Sequence, residues 1–132
     1  MAGRRRVLIV EDDPEARESL HALLEVWGYD SESAGNGEEA LQICTRRAPE
    51  IVIMDLGLPD VEGCEVIRRI KAQAHETVVV VFSGYDKMDG MARNAGADEF
   101  VLKPDIPALA RLLGRDGDVE PEVARNVSKG RR

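Results

Sequence analysis

The 132-residue sequence predicts a doubly wound α/β domain with a parallel sheet of five strands. Three observations lead there. Val7-Leu8-Ile9-Val10, Ile51-Val52-Ile53-Met54 and Val78-Val79-Val80-Val81-Phe82 are short continuous apolar runs, the pattern of parallel strands covered on both faces. Strand starts near 7, 30, 51, 78 and 98 recur at intervals of 23, 21, 27 and 20 residues, each enough for one strand and one helix. Between them, apolar residues recur at helical spacing.

The first strand, Val7–Val10, runs into the acids Glu11, Asp12 and Asp13, and Asp13-Pro14 reads as an N-cap followed by proline at the first helical position. Ala16, Leu20, Leu23, Leu24 and Trp27 then form one apolar face, closed by Gly28 as a C-terminal glycine. Asp30–Ala34 is polar enough to be only an edge strand. Asn36-Gly37-Glu38-Glu39 opens a second helix lined by Ala40, Ile43 and Cys44; Val66, Ile67 and Ile70 line a third. The fourth, near Asp86–Asn94, is the weakest, being polar and holding Gly90, which costs about 1 kcal/mol relative to alanine. Glu99–Leu102 is a weaker fifth strand, and Leu109, Leu112 and Leu113 line the last helix. The organisation expected is a basic N-terminal segment over 1–6, one folded domain over 7–114, and a flexible tail or the start of a linker over 115–132, which has no apolar period.

Charge and cysteine content narrow the function. The net charge is −7, yet residues 1–6 carry +3 and residues 115–132 carry +1, so the domain itself holds −11. An acidic body repels a phosphate backbone, which argues against nucleic-acid binding by this chain. Cys44 and Cys64 lack paired spacing, so neither a disulfide framework nor a zinc site is indicated, and they read as small core or boundary residues. No apolar run reaches membrane-span length and no signal peptide is evident, so the expected location is cytoplasmic.

Ligands of a doubly wound sheet bind beyond the carboxyl ends of its strands. Glu11, Asp12 and Asp13 follow the first strand here, Asp55 ends the third, Ser83 and Gly84 the fourth, and Lys103-Pro104 the fifth. Taken singly, each has a plain explanation: a helix start, a turn aspartate, a turn hydroxyl, a solvated lysine. Together they place three acidic positions, a hydroxyl and an ammonium at one edge. With Asp13 assigned to the cap, Glu11 and Asp12 remain as a hard-oxygen environment suited to Mg²⁺. A carboxylate beside such a cation, with a hydroxyl and an ammonium across the pocket, can act as a nucleophile toward phosphorus.

The stretches LIVEDDPEAR (8–17), GNGEEAL (35–41), IVIMDLGLPDVEGCEVIRRIK (51–71) and GADEFVLKP (96–104) resemble, in order and spacing, a bacterial two-component response-regulator receiver domain. The resemblance covers residues 6–114. It implies a flavodoxin-like fold, a five-stranded parallel sheet in the order 2-1-3-4-5 flanked by five helices. It implies that Asp55 accepts a phosphoryl group from a histidine kinase or histidine phosphotransfer protein. Mg²⁺, or another divalent cation such as Mn²⁺, would be held by Glu11, Asp12, Asp55 and the carbonyl of Gly57. Ser83 matches the switch hydroxyl, Phe100 the switch aromatic, and Lys103 the phosphoryl-contacting lysine, before a proline whose preceding bond is usually cis in the family. A downstream protein or a second copy is expected to bind through 86–113. Departures include serine where threonine is commoner, Asp105 where phenylalanine is frequent, and Gly57 and Tyr85 at positions that tune dephosphorylation. Two rival functions are a constitutive interaction module without the chemistry and an aspartyl-phosphate phosphohydrolase. The first is opposed by the intact Glu11, Asp12, Asp55, Ser83 and Lys103, the second by Gly57 where a second aspartate would be required. No output domain is recognisable after residue 114, so the expectation is a stand-alone receiver or one from a longer regulator.

Overall fold

The computed structural model describes residues 4–114. The tail expected over 115–132 lies outside the described residues, as do residues 1–3 of the basic N-terminal segment. The elements follow in the order β1 (Arg6–Val10), α1 (Pro14–Val26), β2 (Asp30–Ala34), α2 (Gly37–Arg46), β3 (Ile51–Met54), α3 (Gly63–Gln73), β4 (Val78–Ser83), α4 (Asp89–Ala95), β5 (Glu99–Leu102) and α5 (Ile106–Gly114). All strand pairings are parallel, in the order β2-β1-β3-β4-β5, as the resemblance implies.

Why the central strands are apolar throughout is visible in how they divide between two cores. Val7 and Ile9, Ile51 and Ile53, and Val80 and Phe82 pack with Leu20, Leu24 and Leu109 under α1 and α5. Leu8 and Val10, Val52 and Met54, and Val79 and Val81 pack with Ile43, Val66, Ile67 and Ile70 under α2 and α3, with Ala92 and Ala95 of α4. Successive side chains point to opposite faces, so a strand covered twice needs no polar residue. Each fully buried aliphatic side chain stabilises the fold by about 1.5–3 kcal/mol. Both cysteines are buried in the second core, and burial pushes the Cys44 thiol up to about 11, which fits their reading as core residues.

The helix ends follow the expected chemistry. Asp13 accepts the amide of Ala16 with Pro14 opening α1, Asn36 accepts the amide of Glu39, and Gly28 takes φ +90° after α1. Two boundaries differ from expectation. Arg6 belongs to β1, where its guanidinium donates to the carbonyls of Ala48 and Arg47, a tie that spacing alone does not reveal. The segment expected as one helix over Asp86–Asn94 is a 3-10 turn over Asp86–Met88 followed by a short α4. No side chain caps that start, and Gly90 sits in its first turn. Among the described residues, no helix is long and apolar enough to cross a membrane.

Candidate functional site

The sheet delivers the site residues by running its ladder one residue past the strands. The amide of Glu11 donates to Ala34 O, that of Asp55 to Val10 O and that of Lys103 to Ser83 O, at 3.0, 2.9 and 2.8 Å. Residues from three separate strands are therefore held side by side at the carboxyl edge. There Lys103 Nζ donates to Glu11 Oε1 at 2.8 Å and to Asp55 Oδ2 at 3.1 Å. Lys103 follows β5, and the peptide bond between Lys103 and Pro104 is cis. Its ammonium also lies 5.8 Å from the centroid of the Phe82 ring.

The three acids after β1 have separate environments. Glu11 is only 3% exposed, and its Oε2 accepts the amide of Asp13. Burial raises the Glu11 carboxyl above its ordinary range, against the pull of Lys103 and the Asp13 amide. For Lys103 burial favours the neutral amine, but hydrogen bonds to Glu11 and Asp55 outweigh it and the net direction is up. The ammonium therefore stays charged between two carboxylates. Asp12 is exposed, and single carboxylate oxygens of Glu11, Asp12 and Asp55 lie within 4.8 Å of one another, a grouping that could hold a metal ion. Asp13 faces away into its cap.

Asp55 Oδ1 accepts the amide of Gly57 at 3.3 Å, so the exposed loop after β3 turns back on its own aspartate. Ser83 is fully buried at the end of β4, and its hydroxyl accepts the Tyr85 amide at a long 3.4 Å. Phe100 pairs with Val81, is half-buried and packs against the core under α2, α3 and α4. The geometry thus joins Glu11, Asp55 and Lys103 directly and sets Asp12 beside them. Gly57 donates its backbone amide to Asp55, and Ser83 accepts the Lys103 amide on its carbonyl; the side chains of Ser83 and Phe100 lie next door with no hydrogen bond to the three among the described residues.

Sequence reasoning missed three supports. Arg17 Nη1 donates to the carbonyls of Glu11 and Asp12. Asp60, in the loop after β3, accepts the amides of Gly37 and Glu38 and so caps α2 from a distant segment. Those amides hold the Asp60 carboxyl below its usual range. Asp105, the departure from the resemblance, accepts the Ala108 amide at the start of α5. Only the last carried a signal, since Asp105-Ile106-Pro107 places an acid shortly before a proline much as Asp13-Pro14 does.

A family model for the response regulator receiver domain matches residues 7–113. The chain belongs to that family. The chain is 34% identical over 130 residues to the DNA-binding response regulator MtrA of Mycolicibacterium smegmatis, covering 96% of this chain and 57% of the relative. It is 35% identical over 112 residues to the response regulator MprA of a Mycobacterium species, covering 83% and 48%. The chain therefore spans about half the length of the curated relatives it matches. Among solved structures, it resembles a CheY-like receiver domain from Methylobacillus flagellatus, with 31% identity, a TM-score of 0.77 and coverage of 84% of this chain and 97% of that one. It also resembles TrrA of Thermotoga maritima, solved in complex with Mg²⁺-BeF, with 30% identity, a TM-score of 0.74 and coverage of 83% and 98%. Receiver domains of this family are the regulatory domains of two-component response regulators, and the five-strand order 2-1-3-4-5 agrees with that membership.

Proposed function

We propose that residues 7–114 act as a phosphorylation-activated switch of a two-component or phosphorelay system, accepting a phosphoryl group from phosphohistidine on Asp55. The observation that carries this reading is the single ammonium of Lys103 shared by Glu11 and Asp55, with the Asp12 carboxylate in the same group. One positive charge against three carboxylates leaves net negative charge, and the candidate ligand atoms are all oxygens. Those residues fit a hard divalent cation, Mg²⁺ or Mn²⁺, held by Glu11, Asp12, Asp55 and the carbonyl of Gly57. Bound there, the cation supplies positive charge to the phosphoryl oxygens.

The chain's own groups do the rest. A carboxylate oxygen of Asp55 forms the new P–O bond as the P–N bond of phosphohistidine breaks; the electron pair leaves with the imidazole nitrogen, which is protonated from solvent. Lys103, already charged and close to Asp55, turns its ammonium to a phosphoryl oxygen. Ser83 exchanges its long bond from Tyr85 for donation to the phosphoryl group, and the space it leaves admits the Phe100 ring. The face over 86–113 then changes for a downstream partner or a second copy, and Tyr85, at 68% exposure, Met91 and Leu102 already give its surroundings exposed apolar surface. The donor would be a histidine kinase or histidine phosphotransfer protein, and the chain assists its own phosphorylation rather than turning over an external substrate.

Intact-mass measurement with Mg²⁺ and a small acyl-phosphate donor tests the acceptor. One phosphoryl adduct is expected, absent in Asp55→Asn and absent with chelator. An undiminished adduct in Asp55→Asn moves the site elsewhere. Backbone NMR with a non-hydrolysed phosphoryl mimic tests the switch: shifts confined to the loops around Asp55, with 86–113 unchanged, rule it out.

A further inference from the structure

We infer that Arg17 is a positioning residue that fixes the backbone of the acidic pair so that the Asp12 carboxylate faces a divalent cation. The role rests on the proposed site of Glu11, Asp12 and Asp55. Glu11 is anchored at three points besides Arg17: its amide on Ala34 O, and its two carboxylate oxygens on Lys103 and the Asp13 amide. Asp12 has no such anchors. Its carbonyl accepts from Arg17 Nη1 at 3.3 Å, and this is the hydrogen bond Asp12 makes among the described residues. The same Nη1 donates to Glu11 O at 2.9 Å, so one guanidinium clasps two successive carbonyls of the β1–α1 loop.

The far side of the clasp is also built. The guanidinium packs against the bare backbone of Gly35, where a Cβ would stand 3.0 Å from Nη1 and 3.8 Å from Cζ. Gly35 follows the end of β2 and has no positive φ, so the absent side chain is a matter of space rather than of backbone conformation. Arg17 is thus wedged between the loop after β2 and the acids after β1. Arg17 makes no ion pair among the described residues, so its charge is directed at carbonyls rather than spent on a carboxylate.

Two effects of removing Arg17 oppose each other. Losing a nearby, partly solvated positive charge would tighten cation binding by roughly a few-fold, because water and salt screen it. Freeing a group that orients a ligand weakens metal affinity by about 10–100-fold. The second wins, so the net change is weaker binding.

Mn²⁺ titration of the chain, followed by electron paramagnetic resonance, reads this with the metal alone. Arg17→Ala is expected to bind about tenfold more weakly, Arg17→Lys to recover part of the loss, and Gly35→Ala to weaken binding in the same direction by less, since its methyl pushes the guanidinium while the charge stays. Gly35→Ala keeps the inference testable if Arg17→Ala does not fold. Unchanged or tighter Mn²⁺ binding in a folded Arg17→Ala, unchanged binding in Gly35→Ala when Arg17→Ala does not fold, or no Mn²⁺ binding by the wild type, overturns it. The adduct on Asp55 is measured separately. A wild type without that adduct, but with Mn²⁺ affinity lost on Arg17→Ala, supports the role of Arg17 and sinks the phosphoacceptor reading instead.

Discussion

Lys71 and Lys103 stand at opposite ends of the sheet with similar burial, their side chains 22% and 27% exposed, and they do different things. Lys71 Nζ donates to His75 O, Thr77 O and Asp98 Oδ2, which spends three donors on three acceptors and balances one charge with one. Asp98 Oδ2 accepts the Val79 amide as well, so the cluster ties the end of α3 to the starts of β4 and β5. Lys103 instead faces two carboxylates with a third beside them, and two donors are used among the described residues. The difference is one of balance: the Lys71 cluster is satisfied and neutral, whereas the Lys103 cluster carries net negative charge.

The largest expected difference is in signalling. Lys103→Ala should leave Asp55 able to take a phosphoryl group but weaken the coupling of that event to partner binding by about tenfold or more, the worth of a charge-assisted hydrogen bond. Lys71→Ala should leave that coupling unchanged. Partner affinity measured for phosphorylated and unphosphorylated forms checks both, and equal coupling in Lys103→Ala and wild type would remove Lys103 from the switch.

Lys71 should register in stability rather than in coupling. Lys71→Ala strips partners from two carbonyls and a carboxylate, and is expected to cost about 2 kcal/mol after allowance for the exposure of Asp98. Denaturant unfolding measures it. Saturating Mg²⁺ sharpens the contrast further: it should raise the melting temperature of Lys103→Ala, whose three carboxylates then repel one another, more than that of Lys71→Ala. Equal shifts would mean the two lysines are interchangeable scaffolding.

The smallest effect concerns pH at the distant cap. Asp60 is held below its ordinary range by the amides of Gly37 and Glu38. A carboxyl depressed in the folded state binds fewer protons there than in the unfolded chain, so its contribution is present above the unfolded pKa and lost as pH falls through the folded one. Melting temperatures taken down an acid series should therefore fall less steeply in Asp60→Asn than in wild type. Parallel curves would show that the cap carries no pH-linked stability.

Where the candidate site residues gather was legible because they end strands. Once Val7–Val10, Ile51–Met54 and Val78–Phe82 read as parallel strands, Glu11, Asp55 and Ser83 had to fall at one edge, and Asp13-Pro14 could be set aside as a cap. Arg17 and Asp60 were not legible. Arg17 looks like any charged residue on a helix, and Asp60 like a turn residue after Pro59, because neither partner set leaves a periodic or spaced mark. The split of Asp86–Ala95 into a 3-10 turn and a short helix was hidden too, since weak propensity does not say where a helix starts.

Features readable along the chain are therefore periodic or local: strand runs, apolar helix faces, caps within three residues of their amides, and which polar residues follow each strand. These depend on neighbours along the chain, where spacing is information. Folding added what depends on distant groups meeting: Lys103 between Glu11 and Asp55, 92 and 48 residues away, Asp60 on the amides of α2, and the Arg17 guanidinium against Gly35. A charge is neutralised by whatever lies within a few ångströms. Only the folded sheet sets which residues those are.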